Sequence, residues 1–177
     1  MKKCLMFITA AALMCCSIFS CDRKAEGKEA AAQDGSNYEE ALKECFNASF
    51  ALEGGKIFFS YMYPDEVVDK MKSDGSYDTF VNSYNEQQAM RPDLTDGVFE
   101  FGKITESKEI NEKQTEAVKD YFLSLSTDYF PEMKKEDFEV KKGYEVSYSY
   151  FKNGVEDGKD TVLVINLNDD GWKIITG

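Results

Sequence analysis

The sequence predicts an α+β domain: helices packed on a curved antiparallel sheet, in the order helix-helix-helix-strand-helix-strand-strand-strand. Three observations lead there. Through the first third of residues 37–177, apolar side chains recur three and four apart, the period of a helix with one buried face. Towards the C-terminus they alternate with polar ones, the period of a strand. The closing strands are separated by Asn153-Gly154, Asp157-Gly158 and Asp170-Gly171, dipeptides suited to tight turns, so those strands should form an antiparallel meander.

The first helix has Tyr38, Ala41, Leu42, Cys45, Phe46, Ser49 and Leu52 on one side. Asn37 and Glu40 have the spacing of a capping box at its start, and Gly54-Gly55 should stop it. Ile57 to Met62 adds one or two helical turns. Pro64-Asp65-Glu66 fits a second helix start, with proline first and acids in the first turn, running to about Lys72. A third helix follows Asp74-Gly75, with Tyr77, Phe80, Val81 and Tyr84 on one side, and ends at Arg91-Pro92. Val98 to Ser107 reads as a strand. Asn111 with Gln114 forms a second capping box, opening a helix marked by Val118, Phe122, Leu125 and Tyr129 and stopped near Pro131. Tyr144, Val146, Tyr148 and Tyr150 alternate with Glu145, Ser147 and Ser149, Thr161 to Asn168 is the most apolar strand, and Trp172 to Thr176 is the last. Helices gathered on one face of such a sheet would leave a concave mouth. The opposite face, expected to carry Val162 and Val164, would be open to a second copy of the chain.

Composition narrows the function. The 177 residues carry 21 Lys and Arg against 33 Asp and Glu, a formal net charge of −12. Nucleic-acid binding needs a basic stripe, so no nucleic acid is expected as a partner. Histidine is absent, which removes imidazole bases, His-ligated metals and His-based pH switches.

Residues 1–20 read as an export signal. Lys2 and Lys3 precede 17 uncharged residues, Cys4 to Ser20, at the short limit for a spanning helix. The stretch ends Ile18-Phe19-Ser20-Cys21, which resembles the bacterial lipobox: an aliphatic residue three before a cysteine and a small residue just before it. The resemblance implies that Cys21 is acylated and becomes the first residue of the mature chain, anchored at the cell membrane and facing outside the cytoplasm. A plain secretory signal or an uncleaved anchor is the other reading. Loss of Lys2 and Lys3 carries the charge from −12 to −14, so acyl chains rather than a basic face would hold the membrane. Residues 21–36 lack aromatic and β-branched side chains and read as a flexible tether of roughly 20–24 Å r.m.s. span. Residues 37–177 form the folded domain, with Cys45 as its single thiol, read as a core residue.

The element order, with Pro64-Asp65-Glu66-Val67-Val68 after the first helices and Asp170-Gly171-Trp172-Lys173-Ile174 at the end, resembles the nuclear transport factor 2-like (cystatin-like) cone of lipid-anchored bacterial proteins. The resemblance implies a fold but supplies no functional residues, because that cone hosts both enzymes and binding modules.

Candidate sites are few. Tyr61, Tyr84, Tyr148 and Trp172 are the candidates for a ligand pocket, since aromatics with a polar tip line many small-molecule sites. The favoured reading of the same residues is as core and sheet-surface side chains. Asn166, Asn168, Asp170 and Gly171 imitate the first half of a calcium loop, but the required glutamate position falls on Gly177, so a hairpin turn is expected. Asn47-Ala48-Ser49 is a glycosylation sequon by letter only, since it falls within a helix. No catalytic residue, metal site or cofactor is expected. The sequence therefore points to a lipid-anchored binding protein, for a small ligand or another envelope protein. An enzyme using Tyr/Asp acid-base chemistry and a self-associating scaffold are the alternatives.

Overall fold

A computed structural model describes residues 38–177. The leader, Cys21, the tether and the cap residue Asn37 lie outside the described residues. The described chain is α+β, with six α-helices and one open four-stranded antiparallel sheet in the order β1-β2-β3-β4.

Helix α1 spans Tyr38–Ser49 and buries Ala41, Leu42, Cys45 and Phe46. It ends earlier than Gly54-Gly55 suggested. The Ser49 hydroxyl donates to the Phe46 carbonyl, and turn bonds from Phe50 and Ala51 to Asn47 and Ala48 close the last turn. Leu52 therefore leaves the buried face and is about half exposed. Gly54 lies so close to the Ala48 carbonyl that a Cβ would collide with it, and this approach lets the chain fold straight back into α2, Gly55–Met62. What reads in sequence as an extra turn or two is thus a separate helix.

Pro64 caps α3, Asp65–Asp74, from one residue outside it. Gly75 takes the left-handed conformation (φ 78°) that ends α3 and starts α4, Ser76–Ala89. Arg91-Pro92 does end α4, but Pro92 then opens a one-turn helix, α5, Pro92–Thr95, which the sequence reading lacked. Phe59, Val67, Val68, Met71, Tyr77 and Val81 form the core between α2, α3 and α4.

Strands β1 (Phe99–Glu109), β2 (Val140–Lys152), β3 (Val155–Leu167) and β4 (Trp172–Thr176) flank α6, Glu112–Ser126. The capping box at α6 is present in full: Asn111 Oδ1 accepts from Gln114 N, and Gln114 Oε1 accepts from Asn111 N, both at 3.0 Å.

Alternation along β2 decides the layers. Tyr144, Val146, Tyr148 and Tyr150 face α1. Tyr38 stacks on Tyr144 at 5.0 Å, Phe46 meets Tyr148 at 5.8 Å, and Phe50 lies 6.4 Å from Tyr150. Helix α1 thus runs along β2. The rise from Tyr38 to Phe50, just past its end, is about 18 Å and matches the six steps from Tyr144 to Tyr150, about 20 Å.

The structure departs from two expectations about the faces. Val162 and Val164, opposite Val146 and Tyr144, are 1% and 0% exposed and belong to the core under α1, so they cannot offer a surface to a second copy. Nor are the helices gathered on one face. Glu145 points the other way and accepts a hydrogen bond from Gln114 Nε2 of α6 at 3.0 Å, while Gly143 packs directly beneath Ile110 and Ile165. Apolar residues occupy both parities of β3, Val162 and Val164 on one side, Leu163 and Ile165 on the other, and both are buried. A strand apolar on both sides needs a cover on both.

Candidate functional site

The four aromatic candidates are packing residues in the structure. Tyr148 is 6% exposed, stacked on Phe101 at 5.1 Å. Trp172 lies 5.8 Å from Tyr38 and 6.1 Å from Tyr144. Tyr61, in α2, packs on the same cluster and donates its hydroxyl to Glu44 Oε2 at 2.6 Å. Tyr84 belongs to the other cluster, stacked on Phe58 at 4.9 Å. The fold therefore groups Tyr61, Tyr148 and Trp172 around the α1–sheet core and sets Tyr84 apart. None of the four lines the cleft over β1, β2 and β3 or the cleft beside the start of α3.

The larger cleft is an open groove of about 600 Å³, lined by Thr105, Glu106, Ser147, Lys159 and Thr161 and, at its rim, by Asp160, which pairs with Tyr148 on the other parity. It spans three adjacent strands on the part of the face that α6 leaves uncovered. Its hydroxyls are ordered by the sheet. Ser147 Oγ and Thr161 Oγ1 are 2.8 Å apart on directly paired residues, and Thr105 Oγ1 donates to the Ser147 carbonyl at 3.1 Å. Asp160 Oδ1 accepts from Thr161 N at 2.8 Å, which fixes the carboxylate at the rim. The groove offers three hydroxyls, two carboxylates and one ammonium. That set suits a polar ligand or a polar protein surface and provides no apolar slot. Sequence reasoning passed it over because it weighed aromatics. The available signal was the other parity of β2, where Ser147 and Ser149 stand in place of exposed charges.

The smaller cleft, about 330 Å³, lies between the start of α3 and the β3–β4 turn. Its polar groups already hold the backbone. Asp170 Oδ2 accepts from Asp65 N at 3.0 Å, Asp137 Oδ2 from Lys134 N at 2.7 Å, and Asn168 Oδ1 from Glu139 N at 2.6 Å. The turn itself is a tight hairpin with Asn168 and Gly171 at positive φ (48° and 77°), as the calcium-loop look-alike was expected to be. Among the described residues, no group of three or more acidic or cysteine side chains is placed to hold a metal ion.

Two buried groups invite chemistry. Cys45 is 3% exposed, and burial pushes its thiol from the usual 9.0 up to about 12, so it is held neutral and inert at ordinary pH. Tyr148 is a sheet phenol beside a carboxylate, with its hydroxyl 3.5 Å from Asp160 Oδ2. Burial first, then the Asp160 charge, drives its pKa far above that of a free tyrosine. Neither group is poised to exchange a proton near neutrality.

No family model, curated protein or solved structure matches the chain. Among the described residues no helix is long and apolar enough to cross a membrane.

Proposed function

We propose that the chain is a lipid-anchored, extracytoplasmic binding protein, held at the membrane through Cys21, whose folded domain binds rather than catalyses. The anchor rests on Ile18-Phe19-Ser20-Cys21 at the end of a 17-residue uncharged stretch. The binding reading rests on one observation. Tyr148 lies in the core and Tyr61, Tyr84 and Trp172 pack half-buried against it or its neighbour, while the polar groove over β1, β2 and β3 stays open. The binding surface is then that groove, and the partner is a small polar ligand or the polar surface of an envelope protein.

The Tyr/Asp enzyme alternative would have to use Tyr148 and Asp160. Their 3.5 Å separation and the raised phenol pKa favour binding over proton transfer. Kinship with the nuclear transport factor 2-like cone is supported by helices that precede the sheet and by the closing meander through Asp170-Gly171-Trp172. Against it stands α6, which packs on part of the second face.

Two experiments on the full chain in its own membranes test the proposal. Cys21→Ser should move the protein from the membrane to the soluble fraction and abolish incorporation of labelled fatty acid. A membrane-bound mutant, with no lipid label in the parent, removes the anchor. A photo-crosslinking residue at Ser147 or Thr161 should capture a discrete adduct that the same residue at the exposed position Lys70, on α3, does not. Equal capture at Lys70 removes the groove.

A further inference from the structure

Strand β1 forms one edge of the open sheet. Two register shifts, between Phe101 and Ile104 and between Ile104 and Glu106, separate a short regular stretch, Phe99 to Phe101, from a second one, Glu106 to Glu109. Past the last shift the direction of its backbone groups is fixed. Ile110 N donates to the Gly143 carbonyl at 3.0 Å, so the even-numbered residues of this stretch bond inward to β2. Ser107 and Glu109, opposite Val146 and Tyr144, turn their N–H and C=O groups outward. Glu106 and Lys108 flank Ser107 on the polar face. Both are exposed, and no ion pair joins either to another described residue.

From this we infer that the regular end of β1 pairs antiparallel with the same segment of a second copy, about a two-fold axis at Ser107. Charge and backbone direction select that axis together. Centred on Ser107, each Glu106 faces the partner's Lys108, twice by symmetry, and the outward N–H and C=O of Ser107 meet their equivalents. An axis one residue earlier sets Glu106 against itself, and one residue later sets Lys108 against itself. An axis between two residues pairs an inward-bonded residue with an outward one and makes no ladder. The bulges end the pairing near Thr105, so the contact is about five residues a side, a weak interface in dilute solution. Confinement to a surface raises the effective concentration of the copies and favours the pair. Glu106 also lines the polar groove, so the two grooves open towards each other across the axis. This inference does not require the proposed function, since the edge is present whether or not the chain is acylated.

The test uses the full chain, in membranes or, should the chain prove soluble, in concentrated solution. Ser107→Cys under mild oxidation should give a disulfide-linked dimer, because directly opposed residues of a hydrogen-bonded antiparallel pair lie about 5.5 Å apart at Cα, within disulfide reach. Glu100→Cys, exposed on the same strand but before the bulges, should give none. In the Ser107→Cys background, Glu106→Lys or Lys108→Glu should each lower the dimer yield about tenfold by placing like charges in register, and the double exchange Glu106→Lys/Lys108→Glu should restore it. Unchanged melting of the exposed-site variants shows that the fold is intact. Equal cross-linking at Ser107 and Glu100, indifference to single charge reversal, or no rescue by the double exchange each overturns the inference.

Discussion

The Lys173 ammonium lies 2.6 Å from Asp65 Oδ1 and 2.9 Å from the Ser60 carbonyl, at the junction of α2 and α3. The lysine side chain is 2% exposed and the aspartate 58%. The two ends of this pair are therefore unequal. Asp65→Ala strands a buried cation, whereas Lys173→Met leaves a carboxylate that water can reach. We expect Asp65→Ala to cost about 1–3 kcal/mol and Lys173→Met about 1 kcal/mol or less. Urea unfolding of the two variants decides it. A larger loss for Lys173→Met would mean that the lysine's ammonium–carbonyl bond or stem packing matters more than its counter-ion.

Gln114 serves two elements at once, closing the α6 capping box through Oε1 and reaching Glu145 on β2 through Nε2. Asn111→Ala removes only the cap and should cost about 1 kcal/mol. Gln114→Ala removes the reciprocal bond and the tie to the sheet, and should cost at least as much. Thermal melts of both compare them. A neutral Gln114→Ala would leave α6 held to the sheet by apolar packing alone.

Burial raises Cys45 from 9.0 to about 12, and Tyr63 and Tyr84 from 10.0 to about 12. All three are neutral when protonated, and the unfolded chain gives up these protons more readily than the folded one. Their contribution to stability is fully present below the ordinary values of 9 to 10 and is lost as pH climbs from there through about 12. The melting temperature should fall steeply over that window. Phenolate absorbance from the buried tyrosines should appear together with unfolding rather than before it. A melting temperature flat to pH 12 contradicts this.

A thiol count tests the core and the proposed anchor together. In protein extracted from membranes, a colorimetric thiol reagent should find no reactive group in the native state and one, Cys45, after denaturation. Two after denaturation would show Cys21 bare.

The sequence made some elements plain and hid others, for physical reasons. The Asn111–Gln114 cap and the last strand, Trp172 to Thr176, were legible because a local hydrogen-bond pair and a short alternating run carry their own signal. Helix α2 was not, since Gly54-Gly55 reads as an ending, and only the contact of Gly54 with Ala48 shows a reversal. The open face was misassigned because Val162 to Ile165 is apolar at every position. A strand with no alternation does not say which side is covered, or that both are. The groove escaped for a related reason: Thr105, Lys159 and Thr161 come from strands far apart in sequence, and only the register of β1, β2 and β3 gathers them.

Tyr38 is the first described residue and rests against Tyr144 and Trp172, at one end of a helix that lies lengthwise along β2. A pull on Tyr38 directed parallel to β2 would load α1 along its axis. It must slide the whole row from Tyr38 to Phe50 past the sheet at once, instead of peeling contacts one by one. Loaded that way, the first helix gives up its ring contacts together, and so resists such a pull better than one normal to the sheet.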